Sequence, residues 1–211
     1  MTVEEIIESR CIREVLHFTT HLGLIGILDS KYVISRQRLP EDKRLEYILK
    51  LNASRRLDTA WLDYVNLSIS RINSALYDIS SEKWHPQVRW RILSFDPIIL
   101  THEGVYFTTT NNIYPRVVRG RRGQGLEALF TPRVISRYNS VITRDPTTPD
   151  CCPTCVQAEV LYPQKLSTDY LKKIYVITGE EQDDVYGQIS ALRHREVAVE
   201  INPQAFSENG E

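Results

Sequence analysis

Cys155-Val-Gln-Ala-Glu-Val-Leu-Tyr162 reads as a β-strand. At a period of two, Val156, Ala158, Val160 and Tyr162 share one face, and Gln157, Glu159 and Leu161 share the other. An amide and a carboxylate side by side on a rigid element suit a site that holds one group and stabilises charge on another. The same pair also fits a solvated strand face, so the surrounding chain has to decide between the two.

Upstream of that strand, 143–154 reads as a loop with Pro146, Pro149 and Pro153. Downstream, strands are expected at Lys172–Ile177 and Val197–Ile201, separated by a helix from Glu180 to about Leu192. At the N-terminal end, an amphipathic helix from Val3 to about Glu14 precedes a strand, Val15-Leu-His-Phe-Thr-Thr20, with His17 inside it. Thr20 is placed to cap a helix from His21 to about Asp29. Gly23 and Gly26 lie on that helix, where glycine implies close approach of a ligand or of another backbone. Tyr32–Ser35 suggests a further short strand. Pro40 opens a helix whose apolar stripe, Leu45, Ile48 and Leu49, continues through Asn52 to Arg56, with Arg55 off the stripe. An arginine on an inward face needs an anionic partner, either a ligand or a structural acid. Strands follow at Tyr64–Ser70, at Val88–Phe95 with Arg89 and Arg91 on its polar face, and at Val105–Thr109. Ser70 is expected to cap a short helix through Tyr77, and another helix lies near Leu126–Phe130. Helices and strands mix without regular βαβ alternation, which argues an α+β fold in one domain spanning 1–211.

Composition excludes several classes. No apolar run reaches the roughly 18 residues of a membrane span, and the acidic start, Met-Thr-Val-Glu-Glu, is unlike a secretory leader. The expected compartment is the cytoplasm. Net charge is −1, but from Arg116 to Arg144 there are seven arginines, no lysine and one acid, Glu127. Arg116, Arg119, Arg121 and Arg122 form the densest part. Arginine forks favour phosphate contacts and stacking on bases, so the run suggests either a local polyanion site or a solvated charge face. Cys152 and Cys155 make one C-x-x-C pair, but a structural zinc site usually needs a second, and the chain has only Cys11 and Cys151 besides. No metal is expected. The chain contains neither a Walker or Rossmann glycine loop nor a G-x-S-x-G elbow. A histidine, a threonine, an inward arginine and a strand glutamate together suit a ligand carrying phosphates and ribose hydroxyls.

Five segments in fixed order carry a resemblance. They are Leu16-His-Phe-Thr-Thr20 with Gly26-Ile-Leu28; the helix ending Ser54-Arg-Arg56; Tyr64 through Tyr77; Trp90 through Leu100 with Gly104-Val-Tyr-Phe-Thr108; and Gln157-Ala-Glu-Val-Leu161. In these the chain resembles the DarT family of DNA ADP-ribosyltransferases, the toxin half of toxin–antitoxin pairs. The stretch 110–150 matches poorly. The resemblance implies an ADP-ribosyltransferase fold in which two β-sheets with flanking helices form an NAD cleft. It also implies transfer of ADP-ribose from NAD onto thymine or guanine in single-stranded DNA. By position, Glu159 matches the catalytic glutamate, and Arg55 or Arg56 the catalytic arginine, the helix stripe favouring Arg56. His17 and Thr19 match the NAD-contacting segment, with Gly26 beside it.

The substrate strand is then expected at Gln157, Arg116, Arg119, Arg121 and Arg122, with Tyr106, Tyr114 or Tyr138 stacking on bases. The expected partner is a macrodomain antitoxin of the DarG type, and the chain itself a monomer without membrane attachment. Two other readings share these features. One is a transferase acting on RNA or protein; the other is a non-catalytic nucleic-acid-binding module built on the basic run and the cysteine pair.

Overall fold

The computed structural model describes residues 1–40, 59–84 and 86–207. The helix expected after Pro40, with Arg55 and Arg56, lies outside the described residues. The described strands begin with β1 (Val15–Thr20), β2 (Tyr32–Ile34), β3 (Tyr64–Ile69), β4 (Trp90–Phe95), β5 (Tyr106–Thr108) and β6 (Arg119–Gly120). They continue with β7 (Arg133–Ile135), β8 (Val141–Thr143), β9 (Glu159–Pro163), β10 (Lys165–Ser167), β11 (Leu171–Val176) and β12 (Ala198–Ile201). The α-helices are α1 (Val3–Ser9), α2 (His21–Ser30), α3 (Ser74–Asp78), α4 (Arg122–Ala128) and α5 (Gly179–Ala191).

Eight strands line up in the order β12-β11-β4-β1-β3-β9-β5-β6. The line has a weak seam. β1 pairs antiparallel with β4 over all six of its residues, yet meets β3 only at Val15–Ile69 and Leu16–Ser68. Over Tyr64–Leu67, β3 pairs with β9 instead. The sheet is therefore two half-sheets, β12-β11-β4-β1 and β3-β9-β5-β6, joined by two rungs and forking from His17 onward. The expected pair of sheets is this fork.

Apolar patterning explains why both halves hold. In the first half, Val15, Leu93, Phe95, Ile174 and Val176 face one core shared with Leu24, Leu28, Val185 and Ile189 of α2 and α5. Leu16, Ile92, Trp90 and Tyr175 face a second, aromatic core completed by Tyr77 and Phe206. In the second half, Val65, Leu67, Val160 and Phe107 join the first core, so the alternate residues Asn66, Glu159, Tyr106 and Thr108 share the opposite face. As expected, the Thr20 hydroxyl caps α2 by accepting the Gly23 N–H at 3.0 Å.

Several expectations need correction. The N-terminal helix ends at Ser9, and Cys11 turns the chain at φ 52°. The cap of α3 is Asn73, which accepts the Leu76 N–H at 3.2 Å. Arg91 is not on a polar face. It is fully buried and paired at 3.0 Å with Glu181 from the first turn of α5, which answers its charge in the interior. The glutamate strand starts at Glu159, not Cys155, because the Ala158 N–H bonds the Cys155 carbonyl at 3.0 Å and closes a turn. Gln157 therefore sits in that turn rather than beside Glu159 on the strand. The hairpin β7–β8 was not foreseen, since three-residue strands are too short to show alternation.

The position of β6 depends on one close contact. A Cβ on Gly125 of α4 would lie 2.3 Å from the Gly120 carbonyl carbon, and one on Gly120 only 2.6 Å from the Gly125 Cα. Both neighbours are backbone, which has no rotamer to escape into. Gly125→Ala gains up to about 1 kcal/mol of helix propensity, but overpacking against backbone costs about 1–3 kcal/mol. The melting temperature is expected to fall; an unchanged or raised value would show that β6 and α4 part without cost.

Candidate active site

Glu159 opens β9 opposite Thr108 of β5 and is 6% exposed. Its Oε2 accepts the backbone N–H of Asn112 at 2.9 Å. The Thr108 hydroxyl contacts the Glu159 carbonyl at 3.3 Å and the Thr110 carbonyl at 2.8 Å. Asn112 is itself held. Arg119, from β6, donates through Nε to the Asn112 side-chain oxygen and through Nη2 to its carbonyl, both at 2.6 Å. One clamp thus runs from Arg119 through Asn112 to the carboxylate. Arg119 was expected to contact the DNA strand; instead its Nε and Nη2 point at Asn112, and its guanidinium stands 5.3 Å from the Trp61 ring centre.

His17 stands at the fork. Its Nδ1 lies 3.0 Å from the Asn66 carbonyl oxygen of β3. A carbonyl only accepts, so Nδ1 carries the proton and the neutral ring keeps Nε2 as an acceptor. Burial pushes His17 below the ordinary imidazole range, with the bond to Asn66 opposing it. Asn66 pairs with Leu161. Glu159 is therefore the diagonal neighbour of Asn66 across the ladder, about 7–8 Å away in a regular sheet. Thr19 is buried, and a Cβ on Gly23 would come within 2.2 Å of its Oγ1, so Gly23 is explained by packing. Gly26 is different: it is exposed, and a Cβ there would meet nothing within 4 Å.

The Gln157 Oε1 accepts the Tyr114 hydroxyl at 3.0 Å. Burial raises the Tyr114 pKa, so the phenol stays protonated and donates; nearby Arg137 opposes the shift. Farther along the Glu159 face, Trp61, Tyr64 and Tyr106 form an aromatic triangle with ring centres 5.0–6.0 Å apart. Arg121 covers the Tyr106 ring at 4.0 Å. Arg116 and Arg122 are exposed. Sequence reasoning missed Asn112 and Trp61. Asn112 contributes a backbone N–H, to which its side-chain identity gives no clue. Trp61 had a signal, an aromatic three residues before Tyr64.

The sheet split at His17, with Glu159 buried on its inner face, has the fold of the ADP-ribosyltransferase structures it matches. The chain belongs to the DarT family: a family model described as "ssDNA thymidine ADP-ribosyltransferase, DarT" matches residues 16–207. Among solved structures, it is similar to Thermus sp. 2.9 DarT in complex with NAD+ (TM-score 0.65, 16% identity, 92% of this chain and 97% of that one). The same Thermus protein in complex with ADP-ribosylated ssDNA gives a TM-score of 0.66 at 17% identity, covering 92% of this chain and 96% of that one. Thermosipho africanus DarTG in complex with ADP-ribose gives 0.61 at 17% identity, covering 92% of this chain but 51% of that one. No curated protein matches the chain.

The lowered His17 pKa sets a pH dependence. The unfolded histidine takes up a proton as pH falls through about 6.5, while the folded one resists until lower pH. The stability due to this difference is therefore complete above about 6.5 and is lost as pH falls from there toward the folded value. His17→Asn keeps a neutral N–H donor without the titration. Its melting temperature between pH 7.5 and 5.5 is expected to fall less steeply than that of the wild type; parallel slopes would show that His17 is not held neutral.

Proposed function

We propose that this protein is an NAD-dependent transferase that places ADP-ribose on thymine in single-stranded DNA. The observation that carries the reading is the buried Glu159 carboxylate, fixed by the Asn112 N–H at the fork of a DarT-family sheet. NAD is the substrate, and the Thermus relative is seen with it.

The chemistry follows from charge. Breaking the bond between nicotinamide and ribose builds oxocarbenium character at the ribose carbon, as in glycoside cleavage. A carboxylate held in low dielectric stabilises that cation and is pre-aimed, so no reorganisation is needed as charge develops. Thymine in DNA already has N1 bonded to the sugar, so N3 is the ring nitrogen able to attack. As N3 bonds the ribose carbon, nicotinamide leaves with the electron pair of the broken bond, and Glu159 takes the N3 proton as general base. His17, neutral and with Nε2 as acceptor, suits a ribose hydroxyl. Thr19 lies two residues along the same strand, and the space at Gly26 admits a ligand beside the helix. Arg56, with Arg55 beside it, has the role of holding the diphosphate, so that binding energy orients the reacting end. A single strand presents its bases without the cost of unpairing. Arg121, Arg122 and Arg116 suit its phosphates, and Gln157, aligned by Tyr114, suits the edge of the incoming base.

The partner follows from the same reading. A macrodomain of the DarG type would remove the mark and act as antitoxin, a view supported by the DarTG structure, of which this chain matches about half. The chain would work as a monomer in the cytoplasm, where NAD and transient single strands coexist. No helix among the described residues is long and apolar enough to cross a membrane.

Two experiments test this. First, single-stranded DNA, RNA and a protein mixture are incubated with NAD and analysed by mass. The DNA alone is expected to gain one ADP-ribose per modified thymine, and Glu159→Ala is expected to abolish the gain while NAD still binds. Glu159→Gln controls for the Asn112 N–H, which loses its partner in the alanine variant. Transfer near wild-type level by either variant would remove Glu159 from the chemistry. Second, Arg121→Glu with Arg122→Glu is expected to weaken DNA binding and flatten its salt dependence, each lost phosphate contact lowering the slope of log K against log salt by about 0.7 for a single strand. An unchanged affinity and slope would place the strand elsewhere.

A further inference from the structure

Three tyrosines were candidates for stacking on bases, and the structure separates them. Tyr114 is turned inward on Gln157. Tyr106 is packed between Trp61 and Arg121. Tyr138 is 85% exposed, the most exposed large apolar residue among those described. It caps the hairpin β7–β8, in which Ile135 pairs with Val141, both also exposed.

The hairpin is tied to the active site at three points. At its tip, Ser136 Oγ lies 3.5 Å from Thr110 Oγ1, and Thr110 in turn contacts the Cys155 thiol at 3.4 Å, four residues before Glu159. Arg137 lies close enough to act on Tyr114, which holds Gln157. At its base, Arg144 donates to the carbonyls of Cys152 and Pro149, both at 2.8 Å, binding the hairpin to the loop that leads into Glu159. The tip itself is unusual. Tyr138 and Asn139 both take left-handed backbone, φ 56° and 62°, a conformation that a bulky side chain rarely adopts. In that conformation the ring projects into solvent with the Arg137 guanidinium 4.6 Å from its centre. Arg137 covers one face, and the exposure leaves the other free. From 133 to 144 there are three arginines and no acid, which matches a phosphate backbone.

We propose that the Tyr138 ring is a stacking platform for a base of the single strand next to the modified nucleotide, with Arg137 serving the adjoining phosphate. The proposal rests on the transferase reading above and adds a specificity element to it. An aromatic held face-out beside a guanidinium recognises an unpaired base, since every base offers a π-face and a duplex does not release one. The hairpin would then select single strands and position the strand so that the target reaches Glu159.

The test is steady-state modification of a thymine-containing oligonucleotide by Tyr138→Ala and Tyr138→Trp. Tyr138→Ala is expected to raise KM for the strand about tenfold, leaving kcat, NAD affinity and melting temperature as in the wild type, and Tyr138→Trp to restore KM. Oligonucleotides with an abasic site beside the target should be modified equally by the wild type and Tyr138→Ala. A wild-type KM in Tyr138→Ala overturns the proposal, as does a loss that tryptophan does not restore. If the wild type leaves the strand unmodified, the transferase reading itself fails, whatever Tyr138 does.

Discussion

Two rungs of backbone pairing, Val15–Ile69 and Leu16–Ser68, join the halves of this protein, and everything functional depends on their number being so small. Had β1 and β3 paired along their length, no fork would exist and the Glu159 face would be an ordinary sheet surface. Where pairing stops, backbone groups lose their partners, and a buried carbonyl without one costs about 1–3 kcal/mol. His17 answers the first of them, the Asn66 carbonyl, through Nδ1. A histidine suits this position for a specific reason. Its neutral ring has one donor and one acceptor pointing apart, so the nitrogen that closes the fork leaves the other directed elsewhere. Serine or threonine would lack the reach, and lysine would bring a charge that burial penalises.

The same economy of side chains governs the second half-sheet. Glu159 is aimed by a backbone N–H from a loop, and a loop is a poor anchor unless something holds it. Arg119 supplies this with two short bonds to Asn112, its guanidinium 5.3 Å from the Trp61 ring centre. β6 that carries Arg119 is only two residues long, kept in place by the contact between Gly120 and Gly125. The Glu159 carboxylate is thus positioned by a chain of contacts running from a glycine pair to an arginine to an amide. The precision of its placement comes from the packing behind it.

Much of the scaffold was legible in the sequence because its signals are local. β1, α2, β3, β11 and α5 follow from alternation, a threonine cap and apolar spacing, and the structure gives them nearly the expected bounds. Glu159 stands out in the sequence as a candidate site residue only together with His17 and the order of the surrounding motifs. Three kinds of feature were not legible. The buried Arg91–Glu181 pair joins residues ninety apart, and nothing local marks an arginine whose acid arrives from another element. The start of β9 at Glu159 is set by one turn hydrogen bond, which no periodicity reports. Arg119 read as one of four equivalent basic residues, yet it serves the glutamate while Arg116 and Arg122 remain in solvent; charge composition does not show which direction a guanidinium faces.

Apart from Arg91 on β4, these differences fall on one side of the molecule. The half-sheet bearing His17 and Thr19 matches its expectation closely, and the stretch from Thr110 to Cys155 departs from it most. The physical reason is that the two sides meet different constraints. A cleft for a fixed small molecule needs fixed strands, and strands leave periodic traces. An outer surface can be assembled from short hairpins and loops, provided each is anchored. Here the anchors are Arg144 on the Cys152 and Pro149 carbonyls, Arg71 on the Pro153 carbonyl, and Thr154 on the Thr131 carbonyl. All converge on the connector that ends at Glu159, so the connector can change its outward residues while its inner face keeps the glutamate in place.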